Sequence, residues 1–143
     1  MHQLQAMADA SLAQMLSALD PAERQRWLSS LNDDDVEDIM HSWTLWARPN
    51  QLPPDEGWSL WLIMAGRGFG KTRAGAEWVR GIVQRDANAR IALVGANYAE
   101  ARSVMVEGES GLLAIAKTDE RPTWEPSLKR LRWPNGALAF LYS

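Results

Sequence analysis

An α/β fold is predicted by three adjoining features of the 143-residue chain. Residues 58–65, Trp-Ser-Leu-Trp-Leu-Ile-Met-Ala, form a nearly continuous apolar run, as expected of a parallel strand covered on both faces. A glycine-rich turn follows at 65–72, Ala-Gly-Arg-Gly-Phe-Gly-Lys-Thr. From Lys71 to about Arg85, Ala74, Trp78, Val79, Ile82 and Val83 fall on one side of a helix, which leaves Arg73, Glu77, Arg80 and Gln84 for solvent. Gly75 and Gly81 weaken that helix slightly, and Gly75 lets it lie close against a sheet. Asp86-Ala87-Asn88 is turn chemistry, and Arg-Ile-Ala-Leu-Val-Gly at 90–95 reads as the returning strand. Strand, loop, helix and strand make a right-handed βαβ unit, the opening of a parallel sheet.

The loop carries the chemistry. It follows the pattern GxxxxGK[ST] with Ala65 in place of the first glycine, and a methyl is accommodated where a strand closes. Gly66, Gly68 and Gly70 let the backbone fold into a concave nest whose N–H groups point at phosphate oxygens. Lys71 would set an ammonium on the β- and γ-phosphates of ATP, and the Thr72 hydroxyl would be a ligand of Mg²⁺. The helix adds the positive end of its dipole. The candidate nucleotide-binding residues are Gly66, Arg67, Gly68, Phe69, Gly70, Lys71, Thr72 and Arg73, with Lys71 and Arg67 as the catalytic candidates. Arg67 reads two ways, as a solvated loop arginine or as a permanently charged donor beside the γ-phosphate. With its flanks, the motif predicts a P-loop NTPase-type sheet rather than a tight turn with Lys71 idle at the surface.

Composition bounds the rest. At 46% hydrophobic and 23% charged residues the chain is globular rather than disordered. The absence of cysteine excludes disulfides, thiolate zinc sites and iron–sulfur clusters, and suits a reducing cytoplasm. His2 and His41 are too far apart to suggest a metal pair. The apolar run near 58–66 is far short of the roughly 20 residues that span a bilayer, and no basic-then-apolar leader is present, so no membrane partner is expected. Charge is divided unevenly: residues 1–57 hold 3 basic against 10 acidic residues, and residues 58–143 hold 12 against 8. Nucleic-acid contact is therefore expected from the second half, where Arg121, Lys129, Arg130 and Arg132 cluster, although a solvated strand face is the preferred reading of those four.

Residues 1–47 read as an acidic helical segment. Leu4, Met7, Leu12, Met15, Leu16 and Leu19 suit a short helix over 4–19. Asp20 caps a second helix, with Pro21 at its first position, Glu23 completing a capping-box-like arrangement, and Trp27, Leu28 and Leu31 as its apolar side. Asp33, Asp34 and Asp35 favour the start of a third, which carries Val36, Ile39, Met40 and Trp43. Residues 48–57 contain three prolines and form a linker, and 58–143 is a partial ATPase domain. Within it, 98–106 reads as a short helix, and 107–111 as a loop running into 112–115. Pro134 and Gly136 predict a type I turn with a bulge between strands at 128–133 and 137–142. Most of the eight tryptophans, among them Trp27, Trp43, Trp61 and Trp78, are expected in the core.

Hydrolysis also needs a carboxylate to hold Mg²⁺ and usually a second acid for the attacking water. The strands at 90–95 and 137–142 lead into no acid, and Glu107 and Glu109 follow a helix. From Trp58 onward there are 86 residues, against ~100–150 for a doubly wound domain. The expectation is the front portion of a longer nucleotidase, one that binds nucleotide without efficient turnover alone.

Three stretches carry a resemblance: Arg-Pro-Asn-Gln-Leu-Pro-Pro at 48–54, Trp-Leu-Ile-Met-Ala-Gly-Arg-Gly-Phe-Gly-Lys-Thr-Arg-Ala-Gly-Ala-Glu-Trp-Val-Arg at 61–80, and Trp-Pro-Asn-Gly at 133–136. With them, residues 48–143 resemble the large terminase subunit, the DNA-packaging ATPase of tailed bacteriophages, prophages and gene transfer agents. The resemblance implies a motor that drives double-stranded DNA into a capsid with ATP, works as a homo-oligomer on the portal beside a small terminase subunit, and carries a nuclease domain. It implies that Arg67 contacts phosphate, that Lys71 and Thr72 bind triphosphate and metal, and that Gln51 and its neighbours hold adenine. The acidic strand end, the coupling motif and the nuclease aspartates of that family are not in this sequence. Two other readings stand beside it: a helicase- or recombination-type P-loop motor, and a non-catalytic piece docking through residues 1–47.

Overall fold

Asp20 caps the helix that begins at Pro21, its carboxylate accepting from the backbone N–H groups of Ala22 and Glu23 at 2.7 and 3.2 Å. The structure is a computed structural model that describes residues 12–55 and 57–143. The chain divides into two units between Ile63 and Met64.

The first unit is helical: α1 (Leu12–Ala18), α2 (Pro21–Ser29), α3 (Asp33–His41), α4 (Trp43–Trp46) and a 3₁₀ turn at Pro49–Gln51. The helix expected over 4–19 is seen in its second half, and 4–11 lie outside the described residues. Pro21 occupies the first helical position, where its missing N–H costs nothing. Arg24 donates from Nε to the Leu16 carbonyl at 2.7 Å and from Nη2 to that of Leu19 at 3.2 Å, so one guanidinium satisfies the open carbonyls ending α1. The start of α3 is stronger than its aspartates alone predict. Asn32 and Asp35 form a reciprocal capping box, with Asp35 N–H on Asn32 Oδ1 at 2.8 Å and Asn32 N–H on Asp35 Oδ2 at 3.1 Å. No residue of α2, α3 or α4 is buried, and Trp27 and Trp43, expected in a core, are only half-covered.

The second unit is built on α5 (Lys71–Arg85), whose bounds match the expected helix. Four strands follow: β1 (Arg90–Val94), β2 (Thr123–Glu125), β3 (Arg130–Arg132) and β4 (Leu138–Tyr142). Their order is β1-β4-β3-β2, with β1 and β4 parallel and the other pairs antiparallel. The sheet is thus mixed rather than parallel, because the hairpin turns β3 back on β4. That hairpin is the predicted one. Gly136 N–H bonds Trp133 O at 3.0 Å, Gly136 takes φ 104°, and Trp133 N–H bonds Ala137 O at 3.0 Å. β2 has no counterpart in the sequence reading, since three residues are too few to show a period.

The expected strand at 58–65 is not in the sheet. Leu60, Leu62 and Met64 are exposed while Trp61, Ile63 and Ala65 are half-buried, an alternation proper to extended chain, but a strand also needs a partner's amides and carbonyls and none pairs here.

The core joins Val79 and Val83 of α5 to Leu93, Leu131, Ala139 and Leu141 of the sheet. A helical turn at Tyr98–Ala101 (α6) runs into a π turn at Arg102–Val106, filling the helix expected over 98–106, and Leu112 and Ile115 close the core below it. At Gly111 an added Cβ would lie 2.7 Å from the Val106 carbonyl oxygen, so the chain there passes too close for a side chain. The helical-wheel reading of α5 fails at three positions. Glu77 and Arg80 are buried and Trp78 is exposed: Glu77 pairs with Arg73 and Arg80, and Arg80 reaches Glu120 far along the chain. Trp133, read as part of a turn, is the tryptophan buried in the core.

Candidate functional site

The loop at 66–70 acquires its shape from two glycines. Gly68 has φ 76° and Gly70 φ 91° with ψ 25°, the left-handed region that costs an L-residue about 1–2 kcal/mol. Gly70 is the residue that caps α5, and its carbonyl receives the first helical bond, from Ala74 N–H at 2.9 Å. The N–H groups of the first turn precede any such partner within the helix and form a donor set at its positive end. A Cβ placed on Gly66 or Gly68 would meet nothing within 4 Å, so the loop's surface is open.

Lys71 bends back over this loop. Its Nζ donates to the carbonyls of Ala65 at 2.7 Å and Gly66 at 2.8 Å. The ammonium therefore stands over the loop while remaining exposed to solvent. Thr72, next along, is exposed, as are Gly66, Arg67 and Gly68, while Phe69 and Gly70 are half-buried. Lys71 and Thr72 also line a cavity of about 290 Å³, with Gly75, Trp78, Ile91 and Val94 among the other lining residues.

Arg73 is placed differently from its neighbours. Its guanidinium runs along α5 to Glu77, with Nε and Nη2 at 2.8 and 2.7 Å from Oε1. Gln51 lies in the first unit, buried, its side-chain oxygen accepting from Arg48 N–H at 2.9 Å. The structure thus gathers Gly66 to Thr72 at one helix end and ties Arg73 elsewhere.

Sequence reasoning missed what Arg73 joins. Glu77, with its side chain 2% exposed, lies 3.5 Å from Arg80 Nη1, and Arg80 donates from Nε and Nη2 to Glu120 Oε2 at 3.0 and 2.7 Å. Gln84 donates to the other Glu120 oxygen at 2.9 Å. Charges alternate along this ladder, which satisfies the demand that buried ions be paired. The spacing of Arg73, Glu77 and Arg80 by four and three residues was a legible sign. Glu120, 40 residues from Arg80, left none.

Of the basic cluster, Arg130 and Arg132 form a strand-face clasp, while the Lys129 ammonium lies over the Tyr98 ring. Arg130 Nε and Arg132 Nε reach opposite oxygens of Glu125 at 2.5 and 3.0 Å. The hydrogen bond from Arg130, helped by the charge of both arginines, holds the Glu125 carboxyl below its ordinary range. Among the described residues no group of three or more His, Asp or Glu side chains is placed to hold a metal ion, and no helix is long and apolar enough to cross a membrane.

No curated protein and no solved structure matches the chain. A family model does, and it describes the N-terminal part of the terminase large subunit, T4likevirus-type, over residues 62–143. That span takes in the loop, α5 and the whole sheet and exceeds half of the chain, so the chain belongs to this terminase large-subunit family, whose work is phage DNA packaging.

Proposed function

We propose that this chain is the ATP-binding front portion of a viral DNA-packaging motor, which in its complete form couples ATP hydrolysis to the translocation of double-stranded DNA into a capsid. The reading is carried by one observation: two left-handed glycines lead directly into the positive end of α5, with the Lys71 ammonium held over the same loop. A P-loop NTPase fold is part of this reading, as are a portal, a small terminase subunit and further copies of the chain as partners in the bacterial cytoplasm.

The residues present fit a magnesium triphosphate. The open surface over Gly66 and Gly68 leaves room for phosphate oxygens, and the donors there are main-chain amides with no side chain to displace. Bound ATP supplies the phosphoanhydride bond whose cleavage drives the motor. Lys71 would exchange its two carbonyl partners for the β- and γ-phosphates, Thr72 would offer its hydroxyl to Mg²⁺, and the exposed Arg67 stands on the loop as a second fixed charge.

Lys71→Ala is the test, read by titration calorimetry with ATP and Mg²⁺. Charge-assisted bonds of this kind are worth about 1.5–3 kcal/mol, so affinity should fall by roughly 10- to 100-fold. Lys71 is exposed, so the melting temperature should hold. Unchanged affinity overturns the assignment.

A further inference from the structure

A second cavity opens in the second unit, between the later turns of α5, the segment at 112–120 and the turn that joins β3 to β4. It encloses about 390 Å³, and no residue from 66 to 72 lines it. That is room for a small molecule. Val83, Leu112 and Pro134 give it an apolar wall, and Trp133 completes that wall from a position fixed in the core.

The polar part of the lining offers acceptors rather than donors. Arg80 directs Nε and Nη2 at Glu120 and Nη1 at Glu77, and Gln84 directs its amide N–H at the other Glu120 oxygen. Asn135 gives its Nδ2 to the Val83 carbonyl at 2.7 Å. These donors are turned on the protein itself. The Asp119 carboxylate is exposed and has neither a hydrogen bond nor an ion pair among the described residues. Glu120 is open on one side as well, with its side chain 30% exposed. Among the described lining residues, Arg80 stands as the one base against these two carboxylates, and its charge is already matched by Glu120 and Glu77. The cavity is left with an unanswered negative charge beside hydrocarbon.

We propose that this cavity binds a small organic cation, an ammonium or guanidinium carried on a short alkyl stem. The charged head meets Asp119 and the open side of Glu120, and the stem lies along Trp133 and Pro134, as long cationic side chains do on apolar surface. An anion suits the cavity less well, because the donors of Arg80 are engaged and Asp119 repels it. A bare metal ion suits it no better: two carboxylates fall short of the six or so oxygens a hard cation takes, and the rest of the wall is hydrocarbon. The site is independent of the nucleotide reading.

Titration calorimetry on the full chain tests it with three probes: butylguanidinium, its neutral isostere butylurea, and arginine blocked at both ends, which presents the same head as a protein side chain would. Butylguanidinium should bind saturably, and butylurea about tenfold more weakly or not at all. Asp119→Asn leaves the pair of Arg80 and Glu120 in place and should weaken the cation by about tenfold with no change in melting temperature. Ala116→Leu, which fills part of the cavity, should weaken it too. Blocked arginine that binds as well as butylguanidinium marks the ligand as a side chain of a partner protein, and weaker binding marks a free small molecule. Three results overturn the proposal: no saturable binding of butylguanidinium, equal binding of butylurea, or an Asp119→Asn or Ala116→Leu chain that binds the cation as the parent does.

Discussion

Gly70 holds a backbone angle that nearly any other residue resists, and it does so at the point where the loop becomes a helix. Gly70→Ala is expected to lower stability by about 1–2 kcal/mol in urea unfolding and to weaken ATP binding, as the turn opens to relieve the strain. At this scale much was legible. Glycine at 68 and 70 followed by Lys71 and Thr72 named the turn, and both glycines do take positive φ. Asp20 was legible as a cap for the same reason, since a short carboxylate before Pro21 has few other uses. Glu77 and Arg80 were not. A helical wheel ranks residues by hydrophobicity, and it assigns every charge to water unless a partner outside the helix is known. Glu120, the partner of Arg80, belongs to a segment without periodicity.

The ladder from Arg73 to Gln84 is the device that fastens α5 to the chain around Glu120. Glu77 is its most enclosed member, so Glu77→Ala leaves Arg80 short of one of its carboxylates and should cost about 3 kcal/mol by chemical unfolding. Glu77→Gln, which keeps an acceptor, should cost less. On β2 and β3 the clasp of Glu125 with Arg130 and Arg132 makes a different prediction. The folded carboxyl titrates below its ordinary range, so its contribution is present above the unfolded value and lost as pH falls through the folded one. Unfolding followed from neutral to acid pH should show that decline, and Glu125→Gln should flatten it. The elements themselves were legible where local chemistry decides them, in α5, β1 and the Trp133–Ala137 turn. The segment 58–65 was read as a strand from its hydrophobicity, but pairing is a property of two segments, and the run shows only its own half.

Across the molecule, the mixed sheet follows from the hairpin that sets β3 against the parallel pair of β1 and β4. Hydrophobic period gives each strand's faces but not its neighbours or their direction, so a parallel sheet was the expectation and a mixed one is found. Membership of the terminase large-subunit family was legible in the loop and its flanks, because those residues are joined by chemistry rather than by distance in the fold. The opposite charge of the two halves was legible too, while the placing of Arg90, Arg130 and Arg132 on one sheet face needed the strand register.

The posture of Lys71 has a kinetic meaning. Its ammonium has already traded part of its hydration shell for two main-chain oxygens. On the proposed nucleotide reading, an arriving triphosphate would displace those dipoles instead of stripping a fully hydrated cation, which would favour quick capture, and its departure would return the lysine to the same two oxygens.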